Sequence, residues 1–243
     1  MLTNHIRTSL PALICLIGLL ALISAGAIGG AFPRVEDARP GNRLEPVFGQ
    51  AIELFDGTDL EGWTGVSQGD ALGAWSVVDG RLICKGQPIG YLQTEAFFQD
   101  FELELEWRFD PRKGAGNSGV LLRVTGPDRV WPRCVEAQLH SGHAGDIWNI
   151  GEFPLTTEAD RTDGRRTRRS GSEEVERPLG EWNRYVIRFD RDRLTLRVND
   201  SIQNTAKDAE RIPGRIGLQS EGAHIEFRNI RVRPIVAWRD SND

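Results

Sequence analysis

"FELELEWRF", residues 101–109, alternates apolar and polar side chains without interruption. The apolar positions are Phe101, Leu103, Leu105, Trp107 and Phe109, and the polar positions between them are Glu102, Glu104, Glu106 and Arg108. Because side chains on a strand point alternately to two faces, this period of two predicts an antiparallel strand. One face belongs to a core and the other faces water.

Shorter runs with the same period follow along the chain, in WSVVDGRLIC, SGVLLRV, RYVIRF, LTLRVND, RIGLQ and HIEFRNIRV. Turn signals separate them, for example at Asp79-Gly80, Asn199-Asp200 and Pro213-Gly214. Beyond the N-terminal segment no long stretch has a helical period. Many short strands without helices predict an all-β fold, a jelly-roll β-sandwich of two antiparallel sheets whose concave sheet commonly carries the site.

The N-terminal 31 residues are predicted to be a signal peptide or an N-terminal membrane anchor. Residues 10–28 are an apolar run close to the roughly 20 residues that span a bilayer, and small residues behind it offer cleavage points. We therefore expect an exported protein, with residues 10–28 as an alternative membrane tether. Residues 32–47 predict a linker, residues 48–235 one domain and residues 236–243 a tail.

The net charge limits the possible function of the protein, and the cysteine content limits the possible disulfides. A net charge of −5 excludes the strongly basic footprint of a nucleic-acid-binding protein. Beyond the apolar leader only Cys84 and Cys134 remain. In an exported protein they could form a disulfide, and the alternative is that both are small buried side chains.

The candidate site begins in "CVEAQLHSGHAGDIWNIGEF", residues 134–153. Strand alternation separates Val135, Ala137 and Leu139 from Glu136, Gln138 and His140. In "GNSGVLLRV", residues 116–124, the same rule puts Asn117 and Arg123 on one face, so Arg123 is predicted to approach Glu136 if the strands are neighbours. The alternative is an ordinary cross-strand ion pair. The amides, the carboxylate and the tryptophans Trp131 and Trp148 together favour a sugar-binding face.

Metal and nucleophilic chemistry receive less support. His140 and His143 lack an assignable third zinc ligand, so no metal ligand and no cofactor are predicted, while a divalent cation such as calcium stays open. No G-x-S-x-G elbow is present. Glu136 and Glu221 could instead be the two carboxylates of a classical glycosidase. Residues 156–178, rich in arginine and acidic side chains, predict a mobile or charge-paired surface loop, or else a lid over the site.

Five stretches in order resemble the 3-keto-disaccharide hydrolase domain family: IELFDGTDLEGW (52–63), GNSGVLLR (116–123), VEAQLHSG (135–142), GEWNRYVIRFD (180–190) and GRIGLQSEGAHIEFRNIRVRP (214–234). The resemblance covers nearly all of residues 48–234. It implies a concanavalin-like β-sandwich in an exported bacterial protein, periplasmic or in the cell envelope, that cleaves glycosides already oxidised to a ketone at C3 of the sugar. Such a ketone acidifies the C2 proton, so that one base, one donor for the enolate oxygen and hydroxyl-binding groups suffice.

The resemblance also assigns roles by motif position. The arginine of the family's S-G-x-x-x-R motif is Arg123, and its E-x-Q pair is Glu136 and Gln138. We expect Glu136 or His140 as the base, Arg123 as the stabiliser of the enolate, and Glu221 as an acid. The substrate-binding residues are predicted to be Asn117, Gln138, Asp146, Trp148 and Gln219. Where many members have L-Q-x-H-G, this chain has Glu221 in place of the histidine, which changes the role or the substrate. The predicted partner is an oxidised carbohydrate, and the alternative function is a non-catalytic carbohydrate-binding module.

Overall fold

The computed structural model describes residues 44–171 and 175–241. The strands in these residues are β1 (Leu44–Phe48), β2 (Ile52–Glu53), β3 (Trp63–Ser67), β4 (Trp75–Val78), β5 (Arg81–Cys84), β6 (Gly90–Thr94), β7 (Phe101–Phe109), β8 (Gly119–Thr125), β9 (Arg133–Gln138), β10 (Ile147–Ile150), β11 (Thr162–Asp163), β12 (Arg166–Thr167), β13 (Asn183–Asp190), β14 (Arg193–Val198), β15 (Ser201–Ala206), β16 (Arg215–Ser220) and β17 (Ile225–Asp240). Two 3₁₀ helices, Leu72–Ala74 and Ala159–Arg161, lie between the strands.

The strands form two antiparallel sheets. The nine-stranded sheet has the order β15-β14-β13-β7-β17-β5-β4, with β1 and β2 also paired to β17. The eight-stranded sheet has the order β11-β12-β10-β9-β8-β16-β6-β3. The predicted all-β sandwich of two antiparallel sheets is confirmed.

Strand β7 lies in the middle of the nine-stranded sheet and supplies much of the core. Leu103, Leu105 and Trp107 are buried between the sheets, and the Trp107 ring lies 5.5 Å from the ring of Tyr185. Fully burying an apolar side chain of this size contributes about 1.5–3 kcal/mol, so the alternating apolar face of β7 is a main stabiliser of the sandwich. From the opposite sheet, inward-facing side chains such as Val135 pack into the same core.

The polar face of β7 is covered by arginines rather than simply hydrated. Glu102 is only 6% exposed and accepts hydrogen bonds from Arg188 and Arg233 on the two neighbouring strands. Glu104 is paired in the same way with Arg184 at 2.8 Å and Arg231 at 2.9 Å. The outer face of this sheet is therefore a ladder of cross-strand ion pairs, in which the Glu102 and Glu104 carboxylates each bind two arginines.

Two strands of the sandwich extend past the predicted domain limits at residues 48 and 235. Residues 44–47, placed in the linker, begin β1, and residues 236–240, placed in the tail, continue β17, with Leu44 opposite Asp240. Pro46 fits into β1 because β1 is an edge strand, where an N–H is not required on the outer side. The predicted leader and residues 32–43 lie outside the described residues. Among the residues that the structure does describe, no helix is long and apolar enough to cross a membrane.

Cys84 and Cys134 are both buried and both free. Cys84 packs in the core between the sheets, and Cys134 belongs to a separate apolar cluster with Tyr91 and Leu121. The sequence left two alternatives open, a disulfide or two small buried side chains. The structure shows the second.

Candidate functional site

The outer face of the eight-stranded sheet carries a cleft over β8, β9 and β10. Glu136 on β9 is opposite Leu121 on β8 and Trp148 on β10, while Gln138 is opposite Gly119. Directly opposed residues share a face, so these side chains lie together on the side away from the core. The cleft has a volume of about 420 Å³. Its lining consists of Asn117, Trp131, Glu136, Gln138, Trp148, Ile150, Arg165 and Glu221.

Glu136 forms the floor of this cleft. It is 4% exposed, and its Oε1 atom has no hydrogen-bond partner among the described residues. The side chain leans across Gly119, where an added Cβ would collide with Oε1. Burial, with a smaller contribution from the nearby charge of Glu221, raises the pKa of Glu136 to about 8. Near neutral pH this carboxyl group is therefore mostly protonated.

Glu221 lies at the rim, on the segment that follows β16. The amide nitrogen Nδ2 of Asn117 donates a hydrogen bond of 2.6 Å to its Oε2 atom. Burial raises the pKa of Glu221 above the ordinary range of a glutamate. The Oδ1 atom of Asn117 is buried and has no partner among the described residues, so Asn117 can still accept a hydrogen bond from a ligand.

Gln138 presents its donor side to the cleft. Its Oε1 atom accepts the main-chain N–H groups of Leu139 at 2.8 Å and His140 at 2.9 Å. The amide NH₂ remains as a donor, the polarity needed to bind a hydroxyl or carbonyl oxygen. Trp131 and Trp148 add aromatic walls, as a sugar ring requires for its C–H face.

Arg165 is a cleft residue that the site prediction missed. It comes from the charge-rich segment 156–178, which forms the short β11–β12 hairpin and extends the sheet beside β10. The carbonyl oxygen of Arg165 accepts the N–H of Asn149 at 2.8 Å, so its main chain is fixed to β10. Its positive charge lowers the pKa of Glu136, against the effects of burial and Glu221. Within the described part of the chain its guanidinium has no ion-pair partner. The sequence signal for Arg165 was the position of the charged segment after β10, which favoured the lid interpretation.

The predicted approach of Arg123 to Glu136 is wrong. The pairing of β8 with β9 contains a bulge after Leu122, and Arg123 has a φ of +50°, so the alternation of faces is interrupted there. The Arg123 side chain is fully buried and stacks 3.8 Å over the ring of Phe189, which belongs to the nine-stranded sheet. Its guanidinium donates to the carbonyl oxygens of Gln99, Arg191 and Glu210, all remote from the cleft. Burial lowers its pKa to about 10.

Three other predicted site residues do not line the cleft. His140 follows the end of β9 and is exposed in the turn. Asp146 is fully buried, and its carboxylate binds Arg166 and the main-chain N–H of Arg169, so it holds the β11–β12 segment in place instead of contacting a substrate. Gln219 is buried opposite Tyr91 on the same face of the sheet, with an unpartnered Oε1.

The histidine pair does not form a metal site. The rings of His140 and His143 lie 5.1 Å apart, and the Nδ1 atom of His143 is 3.0 Å from a guanidinium nitrogen of Arg166. A cation at that position would face a permanent positive charge. The described residues contain no group of three or more His, Cys, Asp or Glu side chains that could hold a metal.

The chain is similar to known proteins in sequence and in fold. A family model described as the 3-keto-α-glucoside-1,2-lyase-like domain matches residues 50–233. A 3-keto-disaccharide hydrolase from Bacteroides thetaiotaomicron is 25% identical over 232 residues, 75% of this chain and 77% of that protein. Among solved structures, a Parabacteroides distasonis protein proposed to be a glycosyl hydrolase has a TM-score of 0.56 at 21% identity, covering 76% of this chain and all of that one. A carbohydrate-binding module from Bacillus subtilis has a TM-score of 0.51 at 15% identity, with 70% and 94% coverage. The two structural similarities show the fold alone.

Proposed function

Since this chain belongs to the family of 3-keto-α-glucoside-1,2-lyase-like domains, we propose that it is an exported enzyme that cleaves glycosides carrying a ketone at C3. The observation that supports this most strongly is Glu136, a buried carboxyl group with a free oxygen and a pKa of about 8. A base works best when its pKa lies near the operating pH. The buried Glu136 is therefore a much stronger base than a surface glutamate.

Proton abstraction is the first step. The Glu136 carboxylate takes the C2 proton, and the C2–H electrons form a C2=C3 double bond while the C3 carbonyl becomes an enolate oxygen. Arg165 has a guanidinium free of carboxylate partners among the described residues and lines the same cleft, so it is the group that would stabilise the developing negative charge. This assigns to Arg165 the role that was expected of Arg123 from the family motif.

Elimination and hydration complete the reaction. The enolate re-forms the C3 carbonyl, a C1=C2 double bond forms, and the C1–O bond to the leaving group breaks. Glu221, whose pKa is raised by burial, gives its proton to the departing oxygen. Water then adds across C1=C2: the C1 carbon receives its hydroxide, Glu221 takes the released proton, and Glu136 returns a proton to C2. Both carboxyl groups end in their starting states.

The remaining cleft residues supply binding. Trp148 and Trp131 provide aromatic surface for the sugar ring, and the amide donor of Gln138 with the free Oδ1 of Asn117 provides hydroxyl contacts. These are interactions with the ground state and the transition state alike, so we expect them to affect KM more than kcat.

The test compares an aryl glucoside with its 3-keto derivative, using protein that lacks residues 1–43. Release of the phenol from the keto compound alone supports the proposal. Release from both compounds would favour the two-carboxylate glycosidase, for which Glu136 and Glu221 lie in the same cleft. Binding of carbohydrate without any product would favour the carbohydrate-binding module. Repeating the assay with a chelator tests the divalent cation.

A further inference from the structure

A second cavity adjoins the cleft and shares Asn117 and Glu221 with it. Its volume is about 520 Å³. Its other lining residues are Lys85, Lys113, Gly114, Ala115, Gly116, Gly222, Ala223 and His224. Glu221 therefore stands on the wall between two spaces, at the point where a leaving group would separate from the sugar.

The two cavities differ in chemistry. The first has two tryptophans, whereas the second has three basic side chains, Lys85, Lys113 and His224, and neither Trp, Tyr nor Phe. The chain contains just three lysines, the third being Lys207, because it uses arginine almost everywhere else. Neither Lys85 nor Lys113 has a carboxylate partner among the described residues, in contrast to the paired arginines of the nine-stranded sheet. The second cavity therefore holds two lysines without an ion pair among the described residues, and its acidic lining residue is Glu221, which carries a proton in the proposed mechanism.

Tight main-chain packing fixes the segments that carry these side chains. The N–H of Lys85 donates to the carbonyl of Ala74 at 2.8 Å, and the N–H of Gly222 donates to the carbonyl of Gly86 at 2.8 Å. A Cβ at Gly86 would collide with the main chain of residues 222 and 223, so the two segments pass in direct contact. These contacts hold the segment of Lys85 and Gly86 against residues 222 and 223, on one side of the cavity.

Among the described residues, no acidic group near this cavity forms an ion pair with Lys85, Lys113 or His224. The Nδ1 atom of His224 is buried and has no partner among the described residues. The Asp110 carboxylate lies near His224, but Arg112 binds both of its oxygens, at 3.0 Å through Nε and 2.7 Å through a terminal nitrogen. Glu221 is hydrogen-bonded to Asn117. A negatively charged ligand group would find donors here without displacing an existing ion pair.

We infer that the second cavity binds the leaving group, and that it selects leaving groups that carry a carboxylate, such as a uronic acid or an aromatic acid. This inference rests on the proposed function of the adjoining cleft. Lys85 and Lys113 attract the carboxylate, and His224 can donate a hydrogen bond to it. Glu221 protonates the glycosidic oxygen on the wall between the two cavities.

The experiment uses two 3-keto glucosides whose leaving groups are 4-hydroxybenzoate and 4-hydroxybenzamide, which differ in charge but hardly in shape. kcat/KM is measured for the unsubstituted protein, for Lys85→Gln, Lys113→Gln and the double variant, and for Lys207→Gln as the matched control. Dividing the benzoate value by the benzamide value within each protein, and comparing this ratio between proteins, cancels the different intrinsic reactivities of the two phenols.

We expect the benzoate-to-benzamide ratio to fall roughly 3- to 30-fold in the double variant, the range for two partly solvated ion pairs. It should stay constant in Lys207→Gln, and the preference should weaken as salt is added. An unchanged ratio in the double variant, with both compounds still cleaved, overturns this inference and leaves the proposed function intact. No cleavage of either keto compound by the unsubstituted protein overturns the proposed function, and the inference with it.

Discussion

Substituting Glu136 by glutamine tests the central feature of the site with two independent readouts. The glutamine side chain has nearly the shape of glutamate, but it neither takes up nor releases a proton in this pH range. Its pKa in the folded protein is about 8, against 4.5 for an ordinary glutamate, because burial and the charge of Glu221 disfavour the ionised form. Between these two pH values the folded state holds a proton that the unfolded state has released.

The sign of the effect on stability follows from this difference. The contribution of a group with a raised folded-state pKa is fully present below pH 4.5 and is lost as the pH rises through about 8. Each pH unit corresponds to about 1.4 kcal/mol, so the interval amounts to roughly 5 kcal/mol. We expect the unsubstituted protein to lose about this much free energy of unfolding relative to Glu136→Gln between pH 4.5 and pH 9. Urea unfolding of both proteins at several pH values measures it.

The kinetic readout concerns the same proton. With a pKa near 8, about one-tenth of Glu136 is ionised at pH 7. On a 3-keto nitrophenyl glucoside, whose leaving group departs without the Glu221 proton, kcat/KM should therefore rise with pH and level off above about pH 8. Glu136→Gln should lose about 10²- to 10⁴-fold in rate together with this rising limb. If the stability difference between the unsubstituted protein and Glu136→Gln did not change with pH, the conclusion that Glu136 is buried in its neutral form would be refuted. A rate that falls through pH 8 would make Glu136 the acid instead of the base.

Glu102→Gln is a matched control, because Glu102 is nearly as buried but lies in the other sheet. Burial would raise its pKa, yet the hydrogen bonds from Arg188 and Arg233 outweigh burial and the net shift is downward. Its contribution is therefore present above the unfolded pKa and is lost as the pH falls. Glu102→Gln should destabilise the protein at neutral pH, with a pH dependence opposite to that of Glu136→Gln, and the pH–rate profile should keep its shape.

Four further substitutions give distinct outcomes. Gly119→Ala should lower kcat/KM by about 10- to 100-fold, because the new methyl group displaces Glu136 from the cleft floor, while urea unfolding detects at most a modest loss. Arg165→Gln should cost about 10²-fold in kcat and raise the pKa of the rising limb, since a positive charge near Glu136 is removed. Glu221→Gln should lower the pKa of that limb, and it should slow alkyl glycosides more than nitrophenyl glycosides, which need no acid for departure. Arg123→Met should reduce the free energy of unfolding by roughly 3–5 kcal/mol and leave kcat per folded molecule unchanged, because three main-chain carbonyls lose their charged donor. An Arg123 variant that is stable but inactive would contradict its placement outside the cleft.

The sequence was sufficient for the architecture wherever a single physical rule controls it. The period of two in residues 101–109 is set by core packing on one side, and it survives in the structure from end to end of β7. The domain limits were harder, because Pro46 and the charges around it match a linker in composition. Pairing of Leu44 with Asp240 depends on a strand almost 200 residues away, and a local pattern carries no information about it.

The errors at the site arise from one bulge and one hairpin. A strict alternation through residues 119–125 puts Arg123 on the face of Glu136, but a single residue of positive φ moves it to the opposite face, as a one-residue register slip does for a whole strand. Arg165 reaches the cleft through the pairing of β12 with β10, which no periodicity in residues 156–178 predicts. Glu136 and Gln138 were correctly expected on one face because β9 itself is regular.

Whether a polar sheet face is a site depends on whether its polar atoms have partners. Both outer faces of this sandwich carry buried carboxyl groups. On the nine-stranded sheet, Glu102 and Glu104 each bind two arginines. On the eight-stranded sheet, buried oxygens of Glu136, Asn117 and Gln219 have no partner among the described residues. A buried oxygen without a partner costs free energy, and a bound ligand or an ordered water can offset that cost. Buried carboxyl groups thus stabilise the scaffold on one sheet, where arginines pair them, and on our proposal form a substrate-binding floor on the other, where Glu136 is unpaired.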